Sequence, residues 1–371
     1  MATITSIIKA VTLISSNSTP RVLAWRIILQ RTKRKDVIKS YQQLFPMDME
    51  EFGFSLLHEI ITEVKHGELK NAVMKLPAAI DKVDYEERTP LMWASVRCNK
   101  AAIDVLLKYG ADPLLHDKNG NTALYFAALG GSIECVKALI KAGAKLQKGY
   151  VGLDPIHRAC DTHDDVDLVA ALLRLPHDIN SKDSFSRSYL GTAAWRNHYK
   201  SLAYLLEQGA DYEALDAFNA TPLLRAAKYG AVEAAEVLLK FGVNVLAKDK
   251  SQQTILHRAA ASRSERMIEF LADKAAEKLA MVDVESKDIG NMTARERLHE
   301  LEPTAKLLAA FTRLIAAISQ AKADIDLAKL ERTLLPEYNF ESEKEDEDIF
   351  FDTFESVDFM ITTPSILALA V

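Results

Sequence analysis

The sequence predicts an all-α solenoid, a row of helix–turn–helix units with short β-hairpin tips and helices closing its C-terminal end. Three observations lead there. A Thr-Pro-Leu-like opening returns at Thr89, Thr122, Asp154, Ser188, Thr221 and Thr254, at spacings of 33, 32, 34, 33 and 33 residues. A pair of small residues follows each opening, from Ala94-Ser95 through Ala193-Ala194 to Ala259-Ala260. A glycine (Gly110, Gly143, Gly209 or Gly242) closes four of the units, 21 residues after the opening.

Each part of the unit has a local physical reason. Thr, Ser or Asp at the opening can accept a hydrogen bond from the free amides of a first helix, and Pro at the next position forfeits none. The small pair lets a neighbouring helix approach closely. Leu-rich pairs such as Leu106-Leu107 and Leu238-Leu239 then mark a second helix, and the closing glycine suits a left-handed C-cap. One such unit cannot bury its own apolar face, so stability must come from stacking, with atypical units at the ends.

On these residues the chain resembles the ankyrin-repeat family over residues 53–282, because a 33-residue period matched six times is that family's signature. The segment Gly53-Phe54-Ser55-Leu56-Leu57-His58 reads as the opening of an N-terminal capping repeat and is similar to the openings of fungal ankyrin proteins. The resemblance implies a non-enzymatic, protein-binding adaptor or scaffold.

Residues 1–52 form the first expected domain, a basic helical arm. Lys9, Arg21, Arg26, Arg31, Lys33, Arg34 and Lys35 occur there with no acid before residue 36, a pattern also compatible with a mitochondrial transit peptide. A helix is expected from Arg21 to about Leu44. The capping repeat and six repeats occupy 53–282. The third departs most: Gly149-Tyr150-Val151-Gly152-Leu153 stands in place of the usual hairpin, and Leu175-Pro176-His177 in place of a closing glycine. The last lacks that glycine too, and its second helix is expected to run from Ser264 to about Met281.

Residues 283–335 should form a helical cap. Thr293 with Glu296 makes a capping box, and Leu307, Leu308, Phe311, Leu314, Ile315, Ile318 and Ile325 share one face of a helix starting near Pro303. From 336 to 371 the chain turns acidic, with ten acids against Lys344 between Glu337 and Asp358, and reads as a disordered tail.

The family's binding surface, carried over position by position, comprises the hairpin tips and the exposed side of the first helices. Its aromatic and arginine members here are Tyr85, Arg88, Arg97, Tyr150, Phe185, Arg187, Trp195, Arg196, Phe218 and Tyr229. That is the residue mix of an interface hot spot. Lys118, Lys228 and Lys250 join the arginines at these positions, against only Glu86 and Asp161, so the expected partner is a protein segment that is acidic with apolar anchors. One candidate occupant is the acidic aromatic tail itself.

Within that tail, Phe350-Phe351-Asp352-Thr353-Phe354-Glu355 after an acidic tract resembles an FFAT motif, with Phe350, Phe351, Asp352 and Glu355 as the docking residues. The resemblance implies a VAP-type receptor of the endoplasmic reticulum as partner. Ile349 and Thr353 depart from the motif, and a solvated tail or an acidic activation segment remains an alternative.

No cofactor or catalytic residue is predicted: the chain has no phosphate-cradling glycine loop, nucleophile elbow or metalloprotease helix. No metal site is predicted either. His157, Cys160 and His163 lie close in sequence, but the separated ligand pairs of structural zinc are absent, and His157 and His257 occupy positions where the family's histidine bonds within the stack. A net charge of −6 disfavours nucleic acid. No apolar run is long enough to span a membrane. Three cysteines form no even disulfide framework, which favours the cytoplasm, with the nucleus open through Arg31, Lys33, Arg34 and Lys35. A second reading is that the chain is the recognition part of a larger catalytic or signalling protein.

Overall fold

A computed structural model describes residues 53–65 and 67–334. The described chain falls into two units, Met1–Ile325 and Asp326–Val371. In the first, helices alternate between two layers. The first-helix layer contains α1 (Leu56–Ile61), α3 (Pro90–Val96), α5 (Ala123–Gly130), α7 (Pro155–Thr162), α9 (Tyr189–Arg196), α11 (Pro222–Tyr229), α13 (Ile255–Ser262) and α15 (Ala294–Glu300). The second-helix layer contains α2 (Leu69–Lys75), α4 (Lys100–Lys108), α6 (Ile133–Lys141), α8 (Val166–Leu173), α10 (Tyr199–Glu207), α12 (Val232–Lys240), α14 (Glu265–Asp273) and α16 (Ala305–Leu334). Residues 326–334, the end of α16, are the described part of the second unit.

The openings behave as their chemistry requires. Thr89, Ser188, Thr221 and Thr293 each accept the amide three residues on, and Asp154 accepts those of Ile156 and His157. Each such cap is worth about 1 kcal/mol. The small pairs are fully buried where successive first helices meet, as with Ala127-Ala128, Ala193-Ala194 and Ala226-Ala227. The closing glycines all hold φ between 77° and 92°, where a side chain would be strained.

Hairpin tips join the units into one ladder. The amides of Lys118, Tyr150, Ser184, Ala217, Lys250 and Ile289 donate to the carbonyls of Glu86, Asn119, Val151, Phe185, Phe218 and Ser251 of the preceding tips. Histidines tie first helices to the next hairpin: the Nε2–H groups of His58, His157 and His257 donate to the carbonyls of Arg88, Arg187 and Met292. Second helices are capped across the unit boundary. Asp164 accepts the Ser201 amide at 2.8 Å, and Asn197 accepts that of Ala234 at 3.0 Å.

Two expectations are corrected. The hairpin at 149–153 is present: the Gly149 amide donates to Leu153 at 3.0 Å, as Asp216 does to Ala220 in another unit. Gly149 is required there because a Cβ would meet the Asn121 carboxamide at 2.6 Å and the Asn119 carbonyl at 2.8 Å. Nor does one helix run from 264 to 281. α14 ends at Asp273, a π-helical turn covers Ala275–Leu279, and Leu279 returns to the core.

The chain beyond 282 repeats the construction of the units before it. Asp288 accepts the amides of Gly290 and Met292, Thr293 caps α15, and Leu298 is buried. Thr293 lies 39 residues after Thr254, so six extra residues separate the two openings. Leu307, Phe311, Leu314 and Ile318 of α16 are buried, and Lys306 pairs with Glu265 of α14 at 2.6 Å.

Candidate functional site

The exposed side of the first helices and the hairpins beside it come together at α9 and α11. Trp195, near the end of α9, and Tyr229, at the end of α11, meet edge to face with ring centroids 5.1 Å apart. The Arg196 guanidinium lies 4.2 Å from the Trp195 ring centroid. Arg187 lies 5.5 Å from the same ring and 5.1 Å from Phe185 on its own hairpin tip, so one guanidinium joins tip to helix. One unit further on, Arg225 lies 5.3 Å from Phe218 and Lys228 lies 5.6 Å from Tyr229. Phe185 and Phe218 are each more than half exposed, an unusual state for phenylalanine and one suited to a contact surface.

A narrow cleft of about 40 Å³ opens among Arg187, Gly191, Trp195, Pro222, Arg225 and Tyr229. Gly191 creates it, because a Cβ there would meet nothing nearer than the Ser188 hydroxyl at 3.4 Å. Glycine inside a helix costs about 1 kcal/mol relative to alanine. A glycine inside a first helix is therefore the sequence signal of the cleft.

Of the remaining expected positions, Tyr85 and Tyr150 are exposed at their tips, at 58% and 77%, and Lys118 and Lys250 are exposed beside the ladder. They lie in other units and are not gathered around the cleft. Arg97 is corrected: only 5% exposed, it is enclosed where α3 ends, and burial pulls its pKa down against the opposing pull of Glu63. It presents no binding surface. Phe350, Phe351, Asp352 and Glu355, like Arg31, Lys33, Arg34 and Lys35 and the expected arm and tail, lie outside the described residues.

The expected surplus of positive charge shrinks because of the hairpin aspartates. Each regular hairpin begins with an aspartate that accepts two backbone amides, as Asp216 does from Phe218 and Ala220. Its second oxygen then takes a side chain nine residues on: Trp93 for Asp84, Arg225 for Asp216, Arg258 for Asp249 and Arg297 for Asp288. Asp183 instead takes Arg187 at 2.7 Å, and Asp117 lies 3.6 Å from Arg88 of the preceding unit. The bond from Arg297 is the largest influence holding the Asp288 carboxyl low, at about 2. Arg88 and Arg187 are thus compensated inside the protein, whereas Lys118, Lys228 and Lys250 have no ion pair among the described residues.

The residues around His157 serve the stack. His157 packs edge to face on Tyr189 at 4.4 Å, and Tyr189 donates its phenolic hydrogen to Asp154 at 2.6 Å. Burial pushes the Asp154 carboxyl up, but the contacts from His157 and Tyr189 outweigh it and leave it below its usual range. Burial raises the Cys160 thiol far above its ordinary value, so it is no ready thiolate. Among the described residues, no group of His, Cys, Asp and Glu could hold a metal ion, and no helix is long and apolar enough to cross a membrane.

Comparison with known proteins agrees with this architecture. A family model described as Ankyrin repeats (3 copies) matches residues 38–149, 102–183 and 190–282. The chain is 30% identical over 148 residues to the Drosophila melanogaster Transient receptor potential cation channel subfamily A member 1, covering 38% of this chain and 12% of that protein. It is 30% identical over 178 residues to Homo sapiens Inversin, covering 47% and 17%. It is also 30% identical over 194 residues to the Mus musculus B-cell lymphoma 3 protein homolog, covering 49% and 43%. The chain therefore spans less than half the length of these relatives. The crystal structure of the human ASB11 ankyrin repeat domain superposes with a TM-score of 0.52 at 23% identity, over 62% of this chain and 98% of that one.

Proposed function

Since the chain belongs to the ankyrin-repeat family, we propose that it is a non-enzymatic adaptor whose α9–α11 surface captures a segment of another protein. The observation that carries this reading is the aromatic and guanidinium surface of Phe185, Arg187, Trp195, Phe218 and Tyr229, which spans two units around an open cleft. Trp, Tyr and Arg contribute most per residue to protein interfaces. The segment carries large apolar anchors. Its acidic character is drawn by Lys228 and by whatever part of the arginine charge the hairpin aspartates leave over. The protein works in the cytoplasm.

The test is affinity capture from a cell lysate with the full chain beside a Trp195→Ala/Tyr229→Ala double variant. A protein retained by the first and lost from the second, with unchanged thermal stability, is the expected outcome. Equal retention by both would end the proposal for this surface. A second attachment is proposed from sequence alone: the Phe350–Glu355 segment docks on a VAP-type receptor. Capture of that receptor should disappear in a Phe351→Ala chain, and equal capture by both versions would exclude the docking.

A further inference from the structure

Among the described residues the hairpin aspartates have one exception. In the unit that opens at Asp154 the hairpin begins with Gly149, so Arg158, nine residues on, lacks the carboxylate that Arg225, Arg258 and Arg297 have at that spacing. Arg158, its side chain 21% exposed, bonds to neighbouring first-helix residues instead. Its Nε donates to the Tyr125 hydroxyl at 2.9 Å and its Nη1 donates to Asp161 at 3.0 Å. The other oxygen of Asp161 is already taken by Arg196 Nε, at 2.8 Å. Two guanidinium groups therefore share one carboxylate, which leaves a net charge of +1.

The uncompensated part of the pair is accessible. Arg196 has a side chain 44% exposed, against 16% for Asp161, and among the described residues neither of its Nη atoms has a hydrogen-bond partner. The same guanidinium lies 4.2 Å from the centroid of the Trp195 ring, which itself lines the cleft that Gly191 leaves open. Planar guanidinium edges bind carboxylates through paired N–H bonds, and a site with one missing anion attracts one.

From this we infer that the partner segment places an Asp or Glu carboxylate on the free edge of Arg196, restoring the charge balance that Gly149 removed, with a large apolar side chain in the adjoining Trp195–Tyr229 cleft. This rests on the proposed capture of a protein segment by the α9–α11 surface and adds its chemistry. An extended segment advances about 3.3 Å per residue, so the acid and the apolar residue are adjacent or next but one in its sequence.

The test begins by panning a display library of random dodecapeptides against the full chain and against the Trp195→Ala/Tyr229→Ala variant. Peptides enriched on the wild type alone should carry an acid one or two positions from Phe, Leu or Trp. For the strongest of them, made synthetically, Arg196→Met should weaken binding about tenfold. Asp161→Asn, which removes the competing carboxylate, should tighten it severalfold and steepen its dependence on salt. A merely structural Asp161 would not give that gain.

If enriched peptides lack the acid, or if their affinity is indifferent to both variants, the carboxylate seat is wrong while dependence on Trp195 and Tyr229 still supports the surface. If no peptide distinguishes the wild type from the double variant, the surface reading fails and the seat with it. A phosphoserine replacement that binds far more tightly than the acid would overturn the carboxylate in favour of a phosphate.

Discussion

The unit that opens at Thr221 and the unit that opens at Asp154 share a backbone and differ in one anchor. In the first, Asp216 holds two hairpin amides with one oxygen and Arg225 with the other. In the second, Gly149 keeps the hairpin by backbone bonding and close packing on Asn121, and Arg158 is released to Tyr125 and Asp161. Stacked repeats can lose a stabilising side chain locally because neighbours hold the backbone in place. The charge set free at the exception then becomes available for recognition.

The largest effect should come from removing the anchor where it exists. Asp216→Ala leaves two amides and the Arg225 guanidinium without their acceptor in a buried setting, so stability should fall by roughly 3 kcal/mol, read from the denaturant midpoint. A loss below about 1 kcal/mol would break the comparison, since the two hairpins would then be equally secured by backbone alone.

A smaller effect concerns His58, in the first helix of the N-terminal capping unit. His58 Nδ1 accepts from the Ser55 amide at 3.1 Å and lies 2.8 Å from the Ser55 hydroxyl, Nε2–H donates to Arg88, and the ring is fully buried. Burial accordingly lowers its pKa from 6.5 to about 4. The unfolded chain takes up a proton below pH 6.5 that the folded chain refuses until about pH 4. This contribution to stability is therefore full above pH 6.5 and is lost as pH falls through that window, by on the order of 2 kcal/mol between pH 7 and pH 5. Chemical denaturation at pH 7 and pH 5 should show a loss that a His58→Gln chain does not share. A parallel loss in both would assign it elsewhere.

The smallest effect sharpens the contrast between stability and recognition. Gly191→Ala meets only the Ser188 hydroxyl and improves helix propensity, so it should stabilise the protein by about 0.5–1 kcal/mol while narrowing the cleft. A rise in melting temperature with weaker capture of the partner is expected. Destabilisation would mean that the glycine serves packing.

The repeat, its period, the caps and the buried small pairs were legible in the chain's residues alone, because they depend on short-range spacing: an amide three residues away, a helix turn, a glycine at positive φ. The ties of His157 and His257 were legible only through the family resemblance, since each reaches a carbonyl thirty or more residues away. Arg97 was misplaced because periodicity assigns a face, while burial depends on how the capping unit closes over that face. The unit after 282 was hidden by six extra residues absorbed around a π-helical turn, which no fixed period can follow.

The charge of the surface needed the tertiary structure altogether. A guanidinium counts as free or compensated according to distances of a few ångströms between residues nine, twenty-nine or thirty-five positions apart, as Arg225 with Asp216, Arg88 with Asp117 and Arg196 with Asp161 demonstrate. Composition sums those charges, but only the fold decides which of them still face a partner.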